Sequence, residues 1–440
     1  MSVAITKHSD TMSTHENDES LVGHFIGIDE KESLSSFIHK KKMNPKAAKK
    51  AAKYATKHFN ELLQSELYQR LGQETSCHLE AVPRLPHADL ELGKVLGRGA
   101  FSNVFEIKST RTLPNNNSGL NENSNKKVVI DPERTVVKVL CSRVLDSPSL
   151  FAGCALGMAR EAAILASIRH DNIIRLRARS INDVAAYDTG RNDANFLVMD
   201  RLVYMLSDKL ETWTRRIQAI SMSKLWVLIR RGPRNDDSDL WYERIKVAMD
   251  LARAVTFLHR HRILHRDLKP GNIGFDSYDT LKVFDFDVST IVPEESYKDE
   301  LFHLTAKVGT RRYMAKEVGL GSHYNLKADV YSFAIILSYI LSLECPFAGY
   351  SRSEHHDRVF VGGERPIIRK SWPHPIQSLL ERAWSNEIQK RPSMEEVFET
   401  LQNEYNRTEC RTTPPKRRLG RRSDRLHFLA QLSVHRVVPQ

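Results

Sequence analysis

The chain has 440 residues, of which 41% are hydrophobic, which is enough for two or three domains or for one two-lobed domain with tails. Its five cysteines are widely spaced and form no CxxC pair, so neither a disulfide framework nor a zinc site is suggested, and a reducing, intracellular compartment is favoured. The net charge of +12 belongs to the flanks, because residues 35–58 carry +8, residues 405–440 carry +7 and the remainder sums to −3; we therefore expect no stable complex with nucleic acid.

The beginning of the chain predicts a disordered region over 1–43. This stretch is polar, contains few large apolar side chains and has no apolar core of the kind that a signal peptide needs. Elsewhere the most apolar run, 333–343, is too short to span a bilayer and predicts a buried helix. No transmembrane segment is therefore expected.

A basic amphipathic helix followed by a linker is predicted over 44–87. Asn44 suits the N-cap and Pro45 the first helical position, and the helix should continue to about Leu71 and stop at Gly72. Its apolar face either packs on the main domain or lies on a membrane surface, and we favour packing because the Ala-rich half is weakly apolar. The apolar positions at helical spacing are Ala51, Ala55, Phe59, Leu62, Leu63 and Leu67.

The pattern changes at about residue 88, where ADLELGKVLGRGAFSNVFEIKS predicts two strands joined by a Gly-rich turn. Gly97 and Gly99 would let the backbone approach a phosphate closely. An ordinary hairpin has the same pattern, so this turn alone is weak support for a phosphate site. The Asn-rich stretch at 113–125 predicts a loop.

A lysine in an apolar strand is the next unusual feature. The stretch TVVKVL places Lys138 among valines, where an ammonium group needs an anionic partner. Glu161 is the candidate, because it lies on the inner face of a helix predicted over 158–168. Beyond Asp200 the pattern is mostly helical, apart from an irregular Arg-rich insertion at about 215–240.

The stretch HRILHRDLKPGNI concentrates residues that can do chemistry. Asp267 can accept a proton from a hydroxyl nucleophile, Lys269 can neutralise a transferring phosphate, and Asn272 can hold a metal ion. The following strand, LKVFDF, delivers Asp285, a hard oxygen ligand of the kind that Mg²⁺ prefers.

These elements, in this order, resemble the eukaryotic protein kinase family over about residues 88–404. Three later stretches also match. GTRRYMAKE resembles the end of the activation loop, DVYSF resembles the start of the buried helix under the catalytic loop, and Arg391 resembles the arginine that pairs with the glutamate of the first stretch, here Glu317. DVYSF is closest to the tyrosine-kinase-like group of Ser/Thr kinases.

The resemblance implies an α+β fold with two lobes. The N-lobe, about 88–202, would hold a five-stranded antiparallel sheet and the Glu161 helix, which the family calls helix C. The C-lobe, about 203–404, would be mostly helical, and a basic tail, 405–440, would follow. ATP and Mg²⁺ would lie in the cleft between the lobes.

The same resemblance assigns roles to single residues. Asp267 would be the catalytic base, Lys269 would contact the γ-phosphate, and Lys138, positioned by Glu161, would hold the α- and β-phosphates. Two metal ligands are implied, Asn272 and Asp285. The residues expected to contact the nucleotide are Gly97, Gly99, Val104, Lys138, Met199, Asp200 and Leu202.

The implied activity is transfer of the γ-phosphoryl group of ATP to Ser or Thr of protein substrates, because a lysine two residues after the base, here Lys269, marks the Ser/Thr branch. The alternative is a pseudokinase scaffold, since Asp287 replaces the glycine of the usual DFG and Lys316 the proline of the usual APE. Neither substitution removes a residue that would touch ATP, metal or hydroxyl. Ser102, in place of the last glycine of the loop, is a mild change.

Regulation is also suggested by single residues. Arg266 is expected to bind a phosphate in the activation segment, with Thr305 as the best candidate for the phosphorylated residue. Thr310 is expected to be structural and bonded near the base. We predict that His265 is a buried structural residue and that His259 and His261, at a helix end, are solvated or C-cap residues.

Two features bear on partners and location. Gly271 stands where many kinases have a glutamate that selects basic substrates, so one common source of preference for Arg-rich substrates is absent. The run PPKRRLGRR fits a nuclear import signal or a solvated tail, so the expected location is cytoplasmic, and nuclear as well if the signal is used. The basic flanks are either solvated or bind acidic partners or a membrane surface.

Overall fold

A computed structural model describes residues 42–110, 130–227, 236–294 and 299–412 of the chain. The predicted N-terminal disorder and the Asn-rich loop lie outside the described residues, apart from the last positions of the 1–43 stretch. Most of the expected tail, from 413 onward, also lies outside them.

The chain alternates short strands and helices in its first half and is largely helical in its second. The strands are β1 (Arg84–Leu85), β2 (Leu90–Arg98), β3 (Ser102–Thr110), β4 (Thr135–Leu140), β5 (Leu176–Ser180), β6 (Phe196–Asp200), β7 (Tyr204–Met205), β8 (Ile263–Leu264), β9 (Ile273–Phe275), β10 (Leu281–Val283) and β11 (Thr290–Ile291). The α-helices are α1 (Pro45–Gln64), α2 (Glu66–Thr75), α3 (Pro148–Ala166), α4 (Leu206–Val227), α5 (Asp236–Arg260), α6 (Lys316–Leu320), α7 (Lys327–Ser342), α8 (Arg352–Glu354), α9 (His374–Ala383) and α10 (Met394–Thr412). A π-helix, His355–Val361, follows α8 directly. The 3₁₀ helices are Leu79–Ala81, His87–Asp89, Ser142–Asp146, Asp183–Thr189, Pro270–Asn272, Arg311–Tyr313 and Ile388–Lys390.

A six-stranded sheet in the order β1-β5-β6-β4-β3-β2 forms the first lobe. Strands β2 to β6 pair antiparallel, as expected, and this register sets Val104 opposite Lys138. The prediction of five strands is one strand short, because β1 joins the edge in parallel with β5. Strand β1 has two residues between Pro83 and Pro86, too few to show the alternation that predicts a strand.

Helix α3, which carries Glu161, begins well before the predicted position 158. Pro148 occupies its first turn, and the Ser147 side chain accepts a hydrogen bond from the Leu150 N–H at 3.4 Å. The small residues of its first half produce only weak hydrophobic periodicity, so the sequence pattern did not predict that the helix begins at Pro148. Among the described residues α3 is the one helix long and apolar enough to cross a membrane, but 67% of that stretch is buried inside the fold, as a core helix is.

The basic helix predicted at 44–71 is two helices that meet at Ser65. The N–H of Ser65 donates to Leu62 O at 3.1 Å, and its hydroxyl accepts from the Tyr68 N–H at 3.3 Å, so one residue ends α1 and caps α2. The expected stop at Gly72 is wrong, because Gly72 is buried inside α2.

The preference for packing over a membrane surface is confirmed. The alanine face of α1 and Phe59 are buried in the main core against α3 and the Asp183–Thr189 helix. The lysines of α1 lie on its opposite, exposed face.

The second lobe is a bundle of helices around α7. All of α7 from Ala328 to Leu341 except Tyr339 is buried, which confirms the buried helix predicted from the apolar run 333–343. The prediction of an irregular insertion at about 215–240 is wrong where the structure describes this stretch, since α4 continues to Val227 and α5 begins at Asp236. The two described arginines of this stretch, Arg215 and Arg216, are exposed on α4, and Arg216 pairs with Glu243 of α5 at 2.7 Å.

The end of the lobe is also longer than predicted. Helix α10 extends to Thr412, past the expected tail start at 405, and packs along α5. Trp241 Nε1 of α5 donates to Glu404 Oε1 of α10 at 3.3 Å.

Phe59→Ala should lower the free energy of unfolding by about 3 kcal/mol, because it leaves a cavity between α1 and the lobe. Phe59 is 6% exposed, whereas Tyr54 on the same helix is 51% exposed, so Tyr54→Ala is the control and should cost no more than about 0.5 kcal/mol. Chemical denaturation of the full chain measures both. Equal losses in the two variants would contradict the packing of α1 on the lobe.

Candidate active site

A buried lysine sits between two carboxylates where the lobes meet. Lys138 Nζ, on β4, lies 2.7 Å from Glu161 Oε2 of α3 and 2.7 Å from Asp285 Oδ1. Burial by itself would lower the pKa of Lys138, but Asp285 and Glu161 outweigh it and raise that pKa, so the ammonium stays charged. The structure therefore brings together the strand Lys, the helix Glu and the Asp of the LKVFDF strand.

Asp285 follows β10 at a backbone φ of +69°, which an aspartate tolerates better than most residues. Phe286, next to it, is fully buried with its ring 4.9 Å from that of His265. Asp285 has a positive φ in the described structure, whereas Asp287 does not. This conformation therefore does not require the backbone freedom that a glycine would give at position 287. Burial and the neighbouring Asp285 raise the pKa of Asp287 to about 7.

Asp329, at the start of α7, holds the catalytic loop in shape. Its carboxylate accepts the backbone N–H of His265 at 2.8 Å and that of Arg266 at 3.0 Å, which stabilises Arg266 at a φ of +69°. Burial alone would raise the pKa of Asp329, but the hydrogen bond with His259 and the nearby charges lower it. Of the two alternatives for His259 the solvated one is wrong, because its ring is 9% exposed and lies 3.3 Å from Asp329. His259 does lie in the last turn of α5, at the helix end.

The carboxylate of Asp267 is held from three sides. Oδ2 accepts from Lys269 Nζ at 2.7 Å and from Asn272 Nδ2 at 3.1 Å, and Oδ1 accepts from the Thr310 N–H at 2.7 Å. Lys269 Nζ also donates to Thr310 Oγ1 at 3.1 Å. His265 is fully buried, so both it and Thr310 have the structural setting that was expected of them.

Asn272 and Asp285 fit a divalent metal site. Strands β9 and β10 pair antiparallel, and the Phe284 N–H donates to Asn272 O at 3.1 Å, which sets the two predicted ligands side by side. The amide nitrogen of Asn272 bonds to Asp267, so its oxygen is the atom left for a metal. Two carboxylates share the single ammonium of Lys138, which leaves net negative charge for a cation to neutralise.

The metal site has few protein ligands. Within the described ranges no group of three or more His, Cys, Asp or Glu could hold a metal. That finding agrees with Mg²⁺ sites that use one or two carboxylates plus substrate phosphates.

The expected nucleotide residues line up along the sheet. Gly97 of β2 pairs with Val104 of β3, and the Gly99 N–H closes the turn on Ser102 O at 2.8 Å. At the other end the N–H groups of Arg201 and Val203 donate to Arg134 O and Phe275 O.

Because the N–H groups of Arg201 and Val203 are used in these hydrogen bonds, one backbone N–H donor remains in the linker between the lobes. Among the described residues, the N–H of Leu202 has no backbone acceptor. Met199 is buried and lies just before this linker, whereas the carboxylate of Asp200 bonds to Arg177 Nε at 2.6 Å. Asp200 can therefore offer its backbone, and not its side chain, to an adenine ring.

The end of the activation segment is anchored by a buried ion pair. Arg391 donates through both terminal nitrogens to Glu317, at 2.6 and 3.0 Å, and both residues are less than 5% exposed. Lys316 begins α6 beside this pair, so the substitution at that position leaves the pair intact. Thr305 is exposed, and Arg266 Nε donates to Val288 O at 2.5 Å.

Sequence reasoning missed the role of Asp329, which it treated only as the first residue of a buried helix. An aspartate four residues before the apolar run 333–343 was the available signal, since a carboxylate at the start of a buried helix requires donors. It also missed Arg160 of α3, whose Nη1 donates to Asp287 O at 3.3 Å.

Comparison with known proteins identifies similar sequences. A family model described as "Protein kinase domain" matches residues 134–402. In Arabidopsis thaliana, serine/threonine-protein kinase 12 is 35% identical over 165 residues, 36% of this chain and 35% of that protein. Serine/threonine-protein kinase VIK of the same organism is 36% identical over 163 residues, 36% of this chain and 37% of that protein.

A third relative is named a dual specificity kinase. Dual specificity protein kinase shkE of Dictyostelium discoideum is 35% identical over 162 residues, 36% of this chain and 22% of that protein. The matched region thus spans about a third or less of the length of these three relatives.

Arg391→Met should lower the free energy of unfolding by about 3 to 5 kcal/mol, because it leaves the Glu317 carboxylate buried without a partner. The double variant Arg391→Met with Glu317→Leu should recover most of that loss, since no unpaired charge remains. Urea denaturation of the two variants beside the wild type measures both effects. A double variant as unstable as the single one would show that the unpaired charge is not the cause.

Proposed function

The chain belongs to the protein kinase family, and from this premise we propose that it is a serine/threonine kinase that transfers the γ-phosphoryl group of ATP to hydroxyls of protein substrates. Relatives named serine/threonine-protein kinases support the proposal. The observation that most supports it is the set of hydrogen bonds around Asp267, in which Lys269 Nζ lies 2.7 Å from the Asp267 carboxylate.

Asp267 is the proposed catalytic base. Its three donors hold the carboxylate in one orientation, so that it can accept the proton of a substrate hydroxyl within hydrogen-bond distance. Lys269 is close enough to share this site and neutralises charge that develops on the transferred phosphoryl group. Positioning and charge neutralisation then supply most of the rate enhancement.

Lys138 is the proposed contact to the α- and β-phosphates, with Glu161 as its positioning partner. The backbone of Gly97 and Gly99, the side chain of Val104 and the linker residues Met199, Asp200 and Leu202 are the proposed nucleotide surface. Kinases of this family use ATP with a divalent metal ion. We propose Mg²⁺, held by Asn272 and Asp285, which would supply charge neutralisation between the phosphates.

One observation favours a second candidate, a pseudokinase scaffold. Asp287 adds a carboxylate beside Asp285, and its raised pKa of about 7 reflects repulsion within the site as well as burial. Such a site could bind nucleotide with little turnover. The residues with proposed catalytic roles are nevertheless all present, so we favour the active enzyme.

The remaining predictions on location and partners stay proposals. The four described cysteines are free thiols, which agrees with an intracellular location. Three exposed lysines of α1 (Lys49, Lys53 and Lys57) outnumber the two acids, Glu61 and Asp188, in a cavity of about 620 Å³ against the Asp183–Thr189 helix, which supports binding of an acidic partner there. Loss of poly-glutamate binding in Lys49→Glu with Lys53→Glu, measured by fluorescence anisotropy, would support this surface, and unchanged binding would remove it.

Asp267→Asn should reduce Mg²⁺-dependent transfer of ³²P from labelled ATP by at least about a hundredfold, because the substrate hydroxyl loses its base. The control is Asp171→Asn, an exposed aspartate outside the site, which should leave the rate unchanged. Acid hydrolysis of the labelled substrate should yield phosphoserine or phosphothreonine.

The outcomes separate the two candidates. No transfer by the wild type, while a fluorescent ATP analogue still binds, would favour the scaffold. A Thr305→Glu variant is measured alongside, so that an unphosphorylated activation segment is not mistaken for an inactive enzyme.

A further inference from the structure

A shallow surface depression rich in arginine begins at the residue after Thr310. We call it the arginine cavity, and the residues that define it are Arg311, Arg312, Tyr350, Arg352 and His355. None of these residues takes part in the proposed transfer of a phosphoryl group.

Two of the three arginines of this cavity lack a counter-charge. Arg311 and Arg352 have no carboxylate within salt-bridge distance among the described residues. Two acids of the following segment are already engaged: Glu354 Oε2 accepts the Ser351 N–H at 2.8 Å, and Glu364 Oε2 accepts from Arg358 Nε at 2.7 Å. Guanidinium groups gathered without a counter-charge favour an anionic ligand, most of all a phosphate.

His355 is a second, independent sign of a ligand. It is 4% exposed and lines the cavity, and its ring nitrogens form no hydrogen bond of standard geometry among the described residues, although the backbone of Arg312 lies close enough to act on its pKa. Its ring packs edge-on against Phe347 and Phe360. A buried polar group that is left unpaired is costly, and a bound anion would give it an acceptor.

The imidazole is neutral at pH 7, because burial and the nearby arginines lower its pKa to about 4. A neutral ring keeps one N–H donor for a ligand. His355 also begins a π-helix, His355–Val361, and π-helical turns are rare and frequently found at functional sites.

The position of the cavity relates it to the substrate. The Thr310 N–H donates to Asp267 Oδ1 at 2.7 Å, and Arg311 is the next residue. Because an extended chain advances about 3.3 to 3.6 Å per residue, a peptide whose hydroxyl lies at Asp267 has neighbouring side chains within reach of the cavity.

We propose that the arginine cavity binds the phosphate group of a phosphorylated residue that lies within a few positions of the acceptor Ser or Thr of the substrate. The protein then prefers substrates that already carry a phosphate. This inference rests on the proposed kinase activity and deepens it by naming the substrate class. It also agrees with Gly271, which removes one common source of preference for basic substrates.

The test uses the full chain and peptides that contain one acceptor serine. Phosphothreonine is placed at one flanking position at a time, and threonine or glutamate at the same position supplies the comparison. Phosphothreonine at one of these positions should lower KM by about tenfold relative to threonine, with kcat unchanged. Glutamate at that position should have a smaller effect, because a carboxylate carries less negative charge than a phosphate group. The preference should weaken as ionic strength rises.

Variants assign the preference to the cavity. Arg352→Gln and Arg311→Gln should each remove most of the tenfold difference while KM for the threonine peptide stays the same. His355→Phe preserves the aromatic packing and should reduce the difference. Arg382→Gln is the matched control, because Arg382 is exposed on α9 away from the cavity, and it should retain the full preference.

A binding measurement keeps this inference separate from the proposed activity. Fluorescence anisotropy of the same peptides with alanine at the acceptor position needs no turnover and should show the same order of affinity. Equal affinities, with transfer to every peptide equally fast, would overturn the cavity proposal and leave the kinase proposal intact. A preference that persists in Arg311→Gln with Arg352→Gln would overturn it too, by assigning the phosphate to another site such as one beside Arg266.

Discussion

The ion cluster of Lys138, Glu161 and Asp285 is the constraint on which the rest of the structure depends. One ammonium lies 2.7 Å from each of two carboxylates, and the three residues come from the sheet, from helix α3 and from the end of β10. A buried charge without a partner is strongly unfavourable, so β4, α3 and β10 must come together for any one of these residues to be tolerated. The same contact that holds the lobes together therefore assembles the site.

The helices before the first lobe act on this cluster through α3. Tyr68 of α2 donates to Ala163 O at 3.4 Å and accepts from Ser167 Oγ at 3.2 Å, and both partners belong to the end of the helix that supplies Glu161. Arg70, two residues further along α2, pairs with Glu294 at 2.5 Å, beyond Asp287. The extension thus contacts both the helix and the segment that must stay in place for Lys138 to remain paired.

Predictions succeeded where a local pattern determines the structure. Residue type and spacing identified Lys138 with Glu161, and the strand that delivers Asp285, because an interior lysine requires an acid and strand periodicity is short-range. They failed where distant residues decide the outcome. The solvated alternative for His259 failed because its partner, Asp329, is far along the chain. The Arg-rich stretch after 215 looked irregular because Glu243, which pairs with Arg216, belongs to another helix.

The sequence by itself determined the chemical groups and their order: a glycine turn, a lysine, an acid on a helix, then the loop with Asp267 and Asn272. These follow from residue types and spacings within single elements, which neighbouring backbone geometry sets. Only the tertiary structure decided that Asp329 holds the catalytic loop and that Arg311 meets Arg352 and His355 in one cavity. Those contacts join residues about forty or more positions apart, and no local pattern encodes which distant side chain will supply the partner that a buried charge requires.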